Sequence, residues 1–531
     1  MGLFGFGKKK QGNAPQEQEQ KDGIDTTYSS EDDTRADVFW NKEDFAFEIQ
    51  KVLAYKEQGS ILVGRAQSGE LLPDTKIPYV DKNGRTVFHC TVSSIEQNGF
   101  KLKKASVCQF GLYGPTFTLV VPDFAPNAFA AGNFLYKKAE EGAQLTPLYE
   151  AFENCRLSRG REQEIRAELD AQMAQENGNG EDFAAEGLLR VCENYSVQEM
   201  IFALTHVRDV ANRAQEEEKT GGNRASDALY PAMIAKLRAL DKVYLTVDKN
   251  TNYPFLNNGF VDVYTEEAYA QMAVLFYKEQ FRELEVKAMP VSNPEMLKPE
   301  EGQPLAAQMP AFVLFYYLGM ERVLVDDGLY RAALGRGDVL PPPDFSKRPA
   351  AAVPVTNPAL RLRILDFFGE ARWKVNYEKR GEVLQAKEHA MLTEVAKAKF
   401  IIPMKYEGAA QPKTGTNQIV FNKDTKLMFA ALKNTAGETY TPIFTDFAEL
   451  GKMYQPKDWG AAVISIQDAI SINKGDGIAI NPSGENLVLK EKAIGVVGEI
   501  LKKLKEQAEN AANSGSPAQQ DASGAAITRK A

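Results

Sequence analysis

The spacing of apolar positions divides the chain into stretches of different period. From about Phe39 to Asp123 the period is two: Phe45, Phe47 and Ile49 alternate, and Ile61-Leu62-Val63, Val87 to Val92 and Phe117 to Val121 form further short runs separated by Gly-bearing turns such as Ser68-Gly69. This pattern predicts a small antiparallel β-barrel over residues 38–124. From about Ala139 to Asn223 the period becomes helical. Thr146-Pro147 supplies an N-cap and a first-turn proline, and Leu148, Phe152 and Cys155 share a face. Asn177-Gly178-Asn179-Gly180 breaks the pattern; Ser196-Val197-Gln198-Glu199 fits a capping box ahead of Ile201, Leu204 and Val207. Residues 125–225 are therefore expected to be a helical connector.

Two later stretches share one grammar. Ala232-Met233-Ile234 opens a helical run that leads to the apolar strand Val243-Tyr244-Leu245; Ala390-Met391-Leu392 leads in the same way to Phe400-Ile401-Ile402. Each strand precedes an aromatic-Thr-acid corner, Tyr264-Thr265-Glu266 in one case and Phe444-Thr445-Asp446 in the other. A glycine turn and a short apolar strand follow: Gly319 with Val323-Leu324-Val325, and Gly475-Asp476-Gly477 with Ile478-Ala479-Ile480, the latter ending in Asn481-Pro482. The extra length of the first stretch falls on the Pro- and Glu-rich segment from Pro290 to Pro310. Parallels at three places predict a duplicated α/β unit, at 226–345 and 355–510. A Pro-rich linker around Pro341 to Pro354 separates the copies, and Asn357-Pro358 starts a helix with Leu360 and Ile364 on its apolar side. The fold class expected is multidomain α/β (α+β): a barrel, a helical connector and two α/β units. Residues 1–37 and 511–531 are too polar or too low in complexity to bury a core and are expected to be disordered.

Each corner reads as a buried strand turning into a helix, with Thr445 as N-cap and Asp446 in the first turn. Thr445 and Asp446 also resemble a hydroxyl and a base, but capping accounts for both. Asn473-Lys474-Gly475-Asp476-Gly477 imitates a phosphate loop, yet it precedes a strand and so lacks a helix N-terminus. Tyr264, Thr265, Glu266, Phe444, Thr445, Asp446, Gly475, Gly477, Asn481 and Pro482 are accordingly read as structural positions.

Two resemblances follow from these residues. Gly59, Val63-Gly64-Arg65, Ser68-Gly69, Leu72-Pro73-Asp74, Cys90-Thr91-Val92 with Ile95-Glu96, and Gly111-Leu112 resemble the second domain of elongation factor Tu. No G-x-x-x-x-G-K-[ST] accompanies them, so the GTPase partner of that domain is missing. Phe400 to Pro403, Pro442 to Asp446, Ala448-Glu449-Leu450 and Ile478 to Pro482 resemble the SseB family, named for enhanced serine sensitivity, over roughly Ala396 to Leu504. The upstream copy departs from that pattern, with Asp262 in place of Pro442 and Asp326-Asp327 in place of Asn481-Pro482. The resemblance implies a fold and a bacterial cytoplasmic setting, and no reaction.

Composition changes this picture little. The chain has 531 residues, 44% hydrophobic and 25% charged, and a net charge of −9, which argues against binding by phosphate neutralisation. Cys90, Cys108, Cys155 and Cys192 lie too far apart for zinc spacing and read as free thiols. The longest apolar run, Ala311 to Met320, is too short for a membrane span, and Met1 to Gly7 precedes its lysines, unlike a secretory signal. A cytoplasmic location is expected, with weak peripheral membrane contact through residues 1–10 the one membrane role compatible with their apolar tip and basic flank. Arg156, Arg159, Arg161 and Arg166 alternate with glutamates as on a solvated helix face. His89, His206 and His389 fall in three separate segments. No catalytic residue, cofactor or metal site is expected. The leading reading is a non-enzymatic adaptor whose partners are other proteins; alternatives are a translation-associated factor whose barrel binds ribosome, tRNA or a translation factor, and an enzyme of unrecognised type. Calorimetric titration with GTP or ATP should give no saturable binding; a micromolar isotherm would overturn the reading of a barrel without its nucleotide partner.

Overall fold

Alternation builds the first module. Phe45, Phe47 and Ile49 on β1 (Phe45–Tyr55) and Leu62 and Ala66 on β2 (Gly59–Ser68) are buried in one core with Phe117, Leu119 and Val121. The computed structural model describes residues 44–513 apart from 57, 98–99, 107–115, 140–146, 178–184, 218–223, 292–308, 328–329, 348–352, 408–409, 413–418, 422–424 and 456–457. With β3 (Thr75–Val80), β4 (Thr86–Val92), β5 (Ser94–Gln97), β6 (Phe100–Lys101), β7 (Thr116–Val121) and β8 (Phe134–Lys137), these strands form one antiparallel sheet, ordered β4-β3-β8-β1-β2-β7-β5-β6. The expected barrel is corrected here: among the described residues no ladder joins the two ends of the sheet. The terminal strand β6 has two residues, too few to present a closing ladder to β4.

The range 125–225 expected to be a helical connector is corrected at its start, because β8 (Phe134–Lys137) pairs with β1 and β3 in the eight-stranded sheet. Helices follow it: α1 (Pro147–Cys155), α2 (Arg159–Asn177), α3 (Ala185–Val191), α4 (Val197–Glu217) and α5 (Arg224–Arg238), the last running into the range expected for the first α/β unit. The capping box at the start of α4 is formed, with the Glu199 N–H donating to Ser196 Oγ at 3.1 Å and the Ser196 N–H to Glu199 Oε2 at 2.7 Å. Arg161 pairs with Glu164 on its own helix at 3.0 Å and with Glu199 of α4 at 2.7 Å, so it ties two helices together in place of the expected solvated helix face. The expected cap Thr146 lies outside the described residues, as do residues 1–37, Cys108 and Gly111-Leu112.

The first α/β unit contains β9 (Lys242–Asp248), β10 (Phe260–Tyr264), α6 (Glu267–Glu279), β11 (Leu284–Pro290), α7 (Ala311–Leu318), β12 (Arg322–Val325) and β13 (Ala332–Gly335), in sheet order β11-β9-β10-β12-β13. Two helices follow, α8 (Pro358–Ala371) and α9 (Arg380–Lys397). The second unit contains β14 (Lys399–Glu407), β15 (Lys426–Phe429), β16 (Thr439–Ile443), α10 (Phe447–Gly451), β17 (Gly460–Ser465), α11 (Ile466–Ile472), β18 (Gly477–Ile480), β19 (Leu487–Leu489) and α12 (Glu491–Asn513). Its strands run β15-β14-β17 and β16-β18-β19, with the two groups joined by a single antiparallel bridge, Ile401 to Phe444. Set against β11, β9, β10, β12 and β13, the strands β17, β14, β16, β18 and β19 keep the same order and the same sense in each pair, whereas β15, which also pairs with β14, has no counterpart among the described residues of the first unit. The parallel ladder even keeps its register, Asp262 facing Leu324 where Pro442 faces Ala479. The second sheet is split because extending the bridge by two residues sets Pro442 opposite Pro403, and neither has an N–H to donate.

One face of the first sheet packs on the connector, Val243, Leu245 and Val263 meeting Ile165, Leu188, Met200 and Leu204 in one core. The other face, with Tyr244 and Tyr264, is buried under α6 and shares the core of the eight-stranded sheet; Tyr269 of α6 meets Phe152 of α1 edge-on at 5.5 Å. In the second unit α8, α9, α11 and α12 cover one face. Ile494, Val497, Leu501 and Leu504 lie on the packed side of α12, as expected. The helix itself continues to Asn513, past the lysines expected to end it and into the segment expected to be disordered.

Gly319 follows α7 in the left-handed region at φ 69°, and a Cβ there would run into the Pro358 carbonyl oxygen. Gly498, midway along α12, meets nothing. Gly319→Ala should therefore cost more than about 1 kcal/mol in urea denaturation. Gly498→Ala should instead stabilise by roughly 0.5–1 kcal/mol. Equal effects of the same sign would contradict the assigned geometry.

Candidate functional site at the junction of the two α/β units

Each corner ends a parallel ladder, so the backbone N–H two residues past the last strand pair needs an acceptor. In the second unit the Thr445 N–H donates to Asn481 Oδ1 at 2.9 Å. Asn481 Nδ2 donates to Thr445 Oγ1 at 2.8 Å, and that hydroxyl donates to Asp446 Oδ2 at 2.9 Å. The N-cap is Asp446, not Thr445: Asp446 Oδ1 accepts the Glu449 N–H at 2.9 Å. The threonine is drawn off the capping position because Asn481, at φ 48°, turns its side chain back across the ladder. The first unit repeats this. Asp326, at φ 51°, accepts the Thr265 N–H at 2.8 Å and the Thr265 hydroxyl at 2.7 Å, while Glu266 occupies the N-cap with no side-chain bond.

Behind the second corner lies a buried ionic cluster. Arg361, on α8 and 2% exposed, contacts Asp446 at 3.1 Å, Glu449 at 2.7 Å and Glu485 at 2.7 Å. Asn481 Nδ2 also donates to Glu485, at 2.9 Å. The first unit contributes Tyr253, whose hydroxyl donates to Glu449 and accepts from Lys452 Nζ at 2.6 Å; its ring lies 4.9 Å from the Arg361 guanidinium carbon. Lys452 reaches Glu449 at 2.9 Å. Two cations thus face three carboxylates. Burial opposes the charge of Arg361, yet Glu485, Tyr253, Asp446 and Glu449 hold its guanidinium well above the usual range. Burial pushes Glu449 up, but Arg361 and Lys452 outweigh it and leave the carboxyl below the usual range. Burial and then Glu485 raise the Tyr253 hydroxyl, which stays a donor. Asn357, ahead of α8, donates to the carbonyls of Lys399 and Thr445, both at 2.7 Å, and so fastens the helix to both halves of the second sheet.

Farther along α8 the units meet again around a cleft of about 50 Å³. Arg282 is held there between Phe255 and Trp373, 4.0 Å from the Trp373 ring, and burial lowers its pKa to about 10. Arg372 pairs with Asp248 at 3.4 Å and Lys387 with Asp366 at 2.8 Å. The charges around the cleft are matched locally, and the arrangement joins helix to sheet.

Residues 380–495 match the protein-family model described as SseB protein N-terminal domain. The matched stretch runs from α9 into α12 and holds Thr445, Asp446, Glu449, Asn481 and Glu485; Arg361 and Tyr253 lie outside it. No curated protein matches the chain. Among solved structures, a bacterial selenocysteine-specific elongation factor, EF-Sec, is similar at 20% identity over 18% of this chain, with a TM-score of 0.15. The chain spans 15% of that structure, and at this score the likeness carries no argument.

Of the residues singled out in sequence, Thr445, Asp446 and Asn481 come together here in the SseB-matched unit, next to Pro482. Phe444 is buried on the opposite side of the same corner with Ile401 and Leu450. Gly475 and Gly477 lie at the far end of β18: a Cβ on Gly475 would run into the Thr439 carbonyl, and Asp476 both donates to and accepts from the Thr439 backbone at 2.7 Å. That turn is closed on a neighbouring strand. Tyr264 is fully buried with Tyr244. Sequence reasoning missed Arg361, Glu485 and Tyr253; an arginine within the apolar stripe Leu360, Ile364, Leu365 was the available signal. Among the described residues no group of three or more His, Cys, Asp or Glu is placed to hold a metal. His206 pairs with Asp170 at 2.8 Å, and Cys90, Cys155 and Cys192 are free. No described helix is long and apolar enough to cross a membrane.

The first unit replaces this cluster with acids. Tyr277 donates to Asp262 Oδ2 at 2.8 Å, and burial followed by the neighbouring Asp327 charge holds Asp262 well above the carboxylate range. Burial pushes Asp326 up to about 7, against the bonds from Thr265. A raised carboxyl pKa in the folded state means that the folded state binds more protons, so stability falls as pH rises from about 4 to about 7. Asp326→Asn, which installs the residue found at Asn481, should remove part of this slope. Its melting temperature relative to the unsubstituted protein should climb between pH 4 and pH 7 and level off above. A difference independent of pH would contradict the assignment.

Proposed function

We propose that the protein is a non-enzymatic interaction scaffold built on two copies of one α/β unit, the first a diverged relative of the SseB-matched domain. Shared strand order, shared ladder register and the matching Thr265–Asp326 and Thr445–Asn481 corners support the duplication. The eight-stranded module, with its elongation-factor-like motifs, acts in this reading as a cover for the first copy. Cytoplasmic residence goes with the reading.

One observation carries it. In the first unit the sheet face bearing Tyr244 and Tyr264 is buried by the 13-residue α6 and the eight-stranded module. The equivalent face of the second unit, bearing Ile401 and Phe444, is covered by the five-residue α10 together with Tyr454 and Val355. Val463, paired with Ile401, is 38% exposed, and Met428, paired with Lys405, is 42% exposed, both on that face. Phe447 on α10 is 52% exposed. Apolar positions in register with a neighbour's buried core mark a surface that is covered in use. The missing eight residues of helix, about 12 Å at 1.5 Å per residue, point to an amphipathic helix of a partner protein as the occupant.

Photo-crosslinking from position 428 in the native host should give one discrete adduct with another protein, absent from a control position on the exposed side of α12. Val463→Asp should abolish the adduct without moving the melting temperature by more than a few degrees. An adduct of twice the protein's own mass, or equal labelling at both positions, would overturn the proposal.

A further inference from the structure

A second feature lies on the first unit and is independent of the face just described. Between α5 and the edge strand β13 runs an open groove of about 580 Å³. Arg208 enters it from α4 and Arg322 from the start of β12. Arg322 stacks on Phe260, its guanidinium carbon 3.7 Å from the ring centre; Arg208 lies 5.9 Å from the Tyr230 ring and donates from Nε to Ser226 at 2.9 Å. Neither guanidinium has a carboxylate within 4.0 Å among the described residues, whereas the nearby Arg336 is paired with Glu321 at 3.2 Å. Of the acidic groups at the groove, Glu321 is thus already neutralised, Asp227 lines it, and the Asp338 carboxylate is bonded to Tyr230 and the Gly335 N–H at its edge, so the positive charge is local to Arg208 and Arg322. A guanidinium held flat on a ring presents its N–H edge to a planar anion, the geometry that favours arginine for carboxylates.

The strand beside the groove supplies a second recognition element. β13 ends the sheet. Arg336 N donates to the Glu321 carbonyl at 2.9 Å, which fixes the alternation of the antiparallel ladder: Arg336, Leu334 and Ala332 turn their backbone groups toward β12, and Gly335 and Ala333 turn theirs outward. The Gly335 N–H is taken by Asp338 at 3.0 Å. Ala333 is left with its N–H and carbonyl facing the open side, and its side chain is exposed.

We propose that this groove binds an acidic peptide in extended conformation, which pairs with Ala333 at the sheet edge and places carboxylates on Arg208 and Arg322. The volume is in the range of ligand-binding clefts, and strand addition at a sheet edge gives the register that directs alternate side chains to one side. Asp227 disfavours a carboxylate at its own end, so the two arginines set where the acidic residues fall.

The test uses the full chain and a fluorescein-labelled octapeptide of alternating Val and Glu, read by fluorescence anisotropy, with the Val-Lys octapeptide as control. Expected is saturable binding of the Glu peptide that weakens with salt, no binding of the Lys peptide, and at least a ten-fold loss in Arg322→Ala and in Arg208→Ala. A Glu peptide N-methylated along its backbone should also lose at least ten-fold, because it cannot donate to the strand. Arg322→Lys keeps the charge and should still lose affinity, since it gives up the planar stack; its aliphatic stem still covers Phe260, so the fold is expected to hold. Equal binding of the two peptides, or unchanged affinity in both alanine variants, would overturn the proposal. Full competition by inorganic phosphate with no effect of N-methylation would replace it with a small-anion site.

Discussion

The arrangement of the two α/β units depends on one buried cation. Arg361 sits at the start of α8 with three carboxylates around it, and two of those, Asp446 and Glu449, belong to the short helix that the Thr445 corner launches. Enclosing such charges carries a desolvation cost that their mutual attraction offsets only when the geometry is well satisfied. Here Asn481, Tyr253 and Lys452 supply the remaining bonds. The cluster adds little net stability over an apolar contact of similar size, but loss of one member strands the others, at a cost of roughly 3–5 kcal/mol. That asymmetry makes the relative placement of the first unit, α8 and the second unit specific.

The same corner serves two different electrostatic solutions. In the SseB-matched unit an amide, Asn481, bridges Thr445 and Glu485 without adding charge to a site that already holds three carboxylates. In the first unit the equivalent residue is Asp326, and the two positions occupied by Pro442 and Pro482 in the second unit carry Asp262 and Asp327. Arg331 approaches Asp327 at 3.8 Å, and burial holds the Asp262 and Asp326 carboxyls above the usual carboxylate range. The prolines, in turn, account for the single bridge that holds the second sheet together.

The two units also differ in what covers them. The first is enclosed on both faces, by the connector and by α6 with the eight-stranded module, and has an open groove at its edge, beside β13. The second is enclosed on one face and offers the other. The polar groups at the junction between the units are bonded to one another, so this region joins the units.

Periodicity and turn chemistry made much of this legible before any coordinates. The runs around Phe45, the capping box at Ser196 and the strand-corner-glycine-strand order of both units are local, and local backbone preference determines them. The corners at Thr265 and Thr445 were found for the same reason. Their role was not, because the competitor for the threonine is Asn481 or Asp326, tens of residues away and brought close only by the parallel ladder. The open end of the eight-stranded sheet, the merging of connector and first unit into one core, and the meeting of Arg361 with Glu485 and Tyr253 likewise depend on contacts between distant segments. Sequence alone marked the strand, corner and glycine-turn segments around Tyr264 and Phe444; tertiary structure decided which charges are buried together, because burial and partner choice depend on the packing of whole layers.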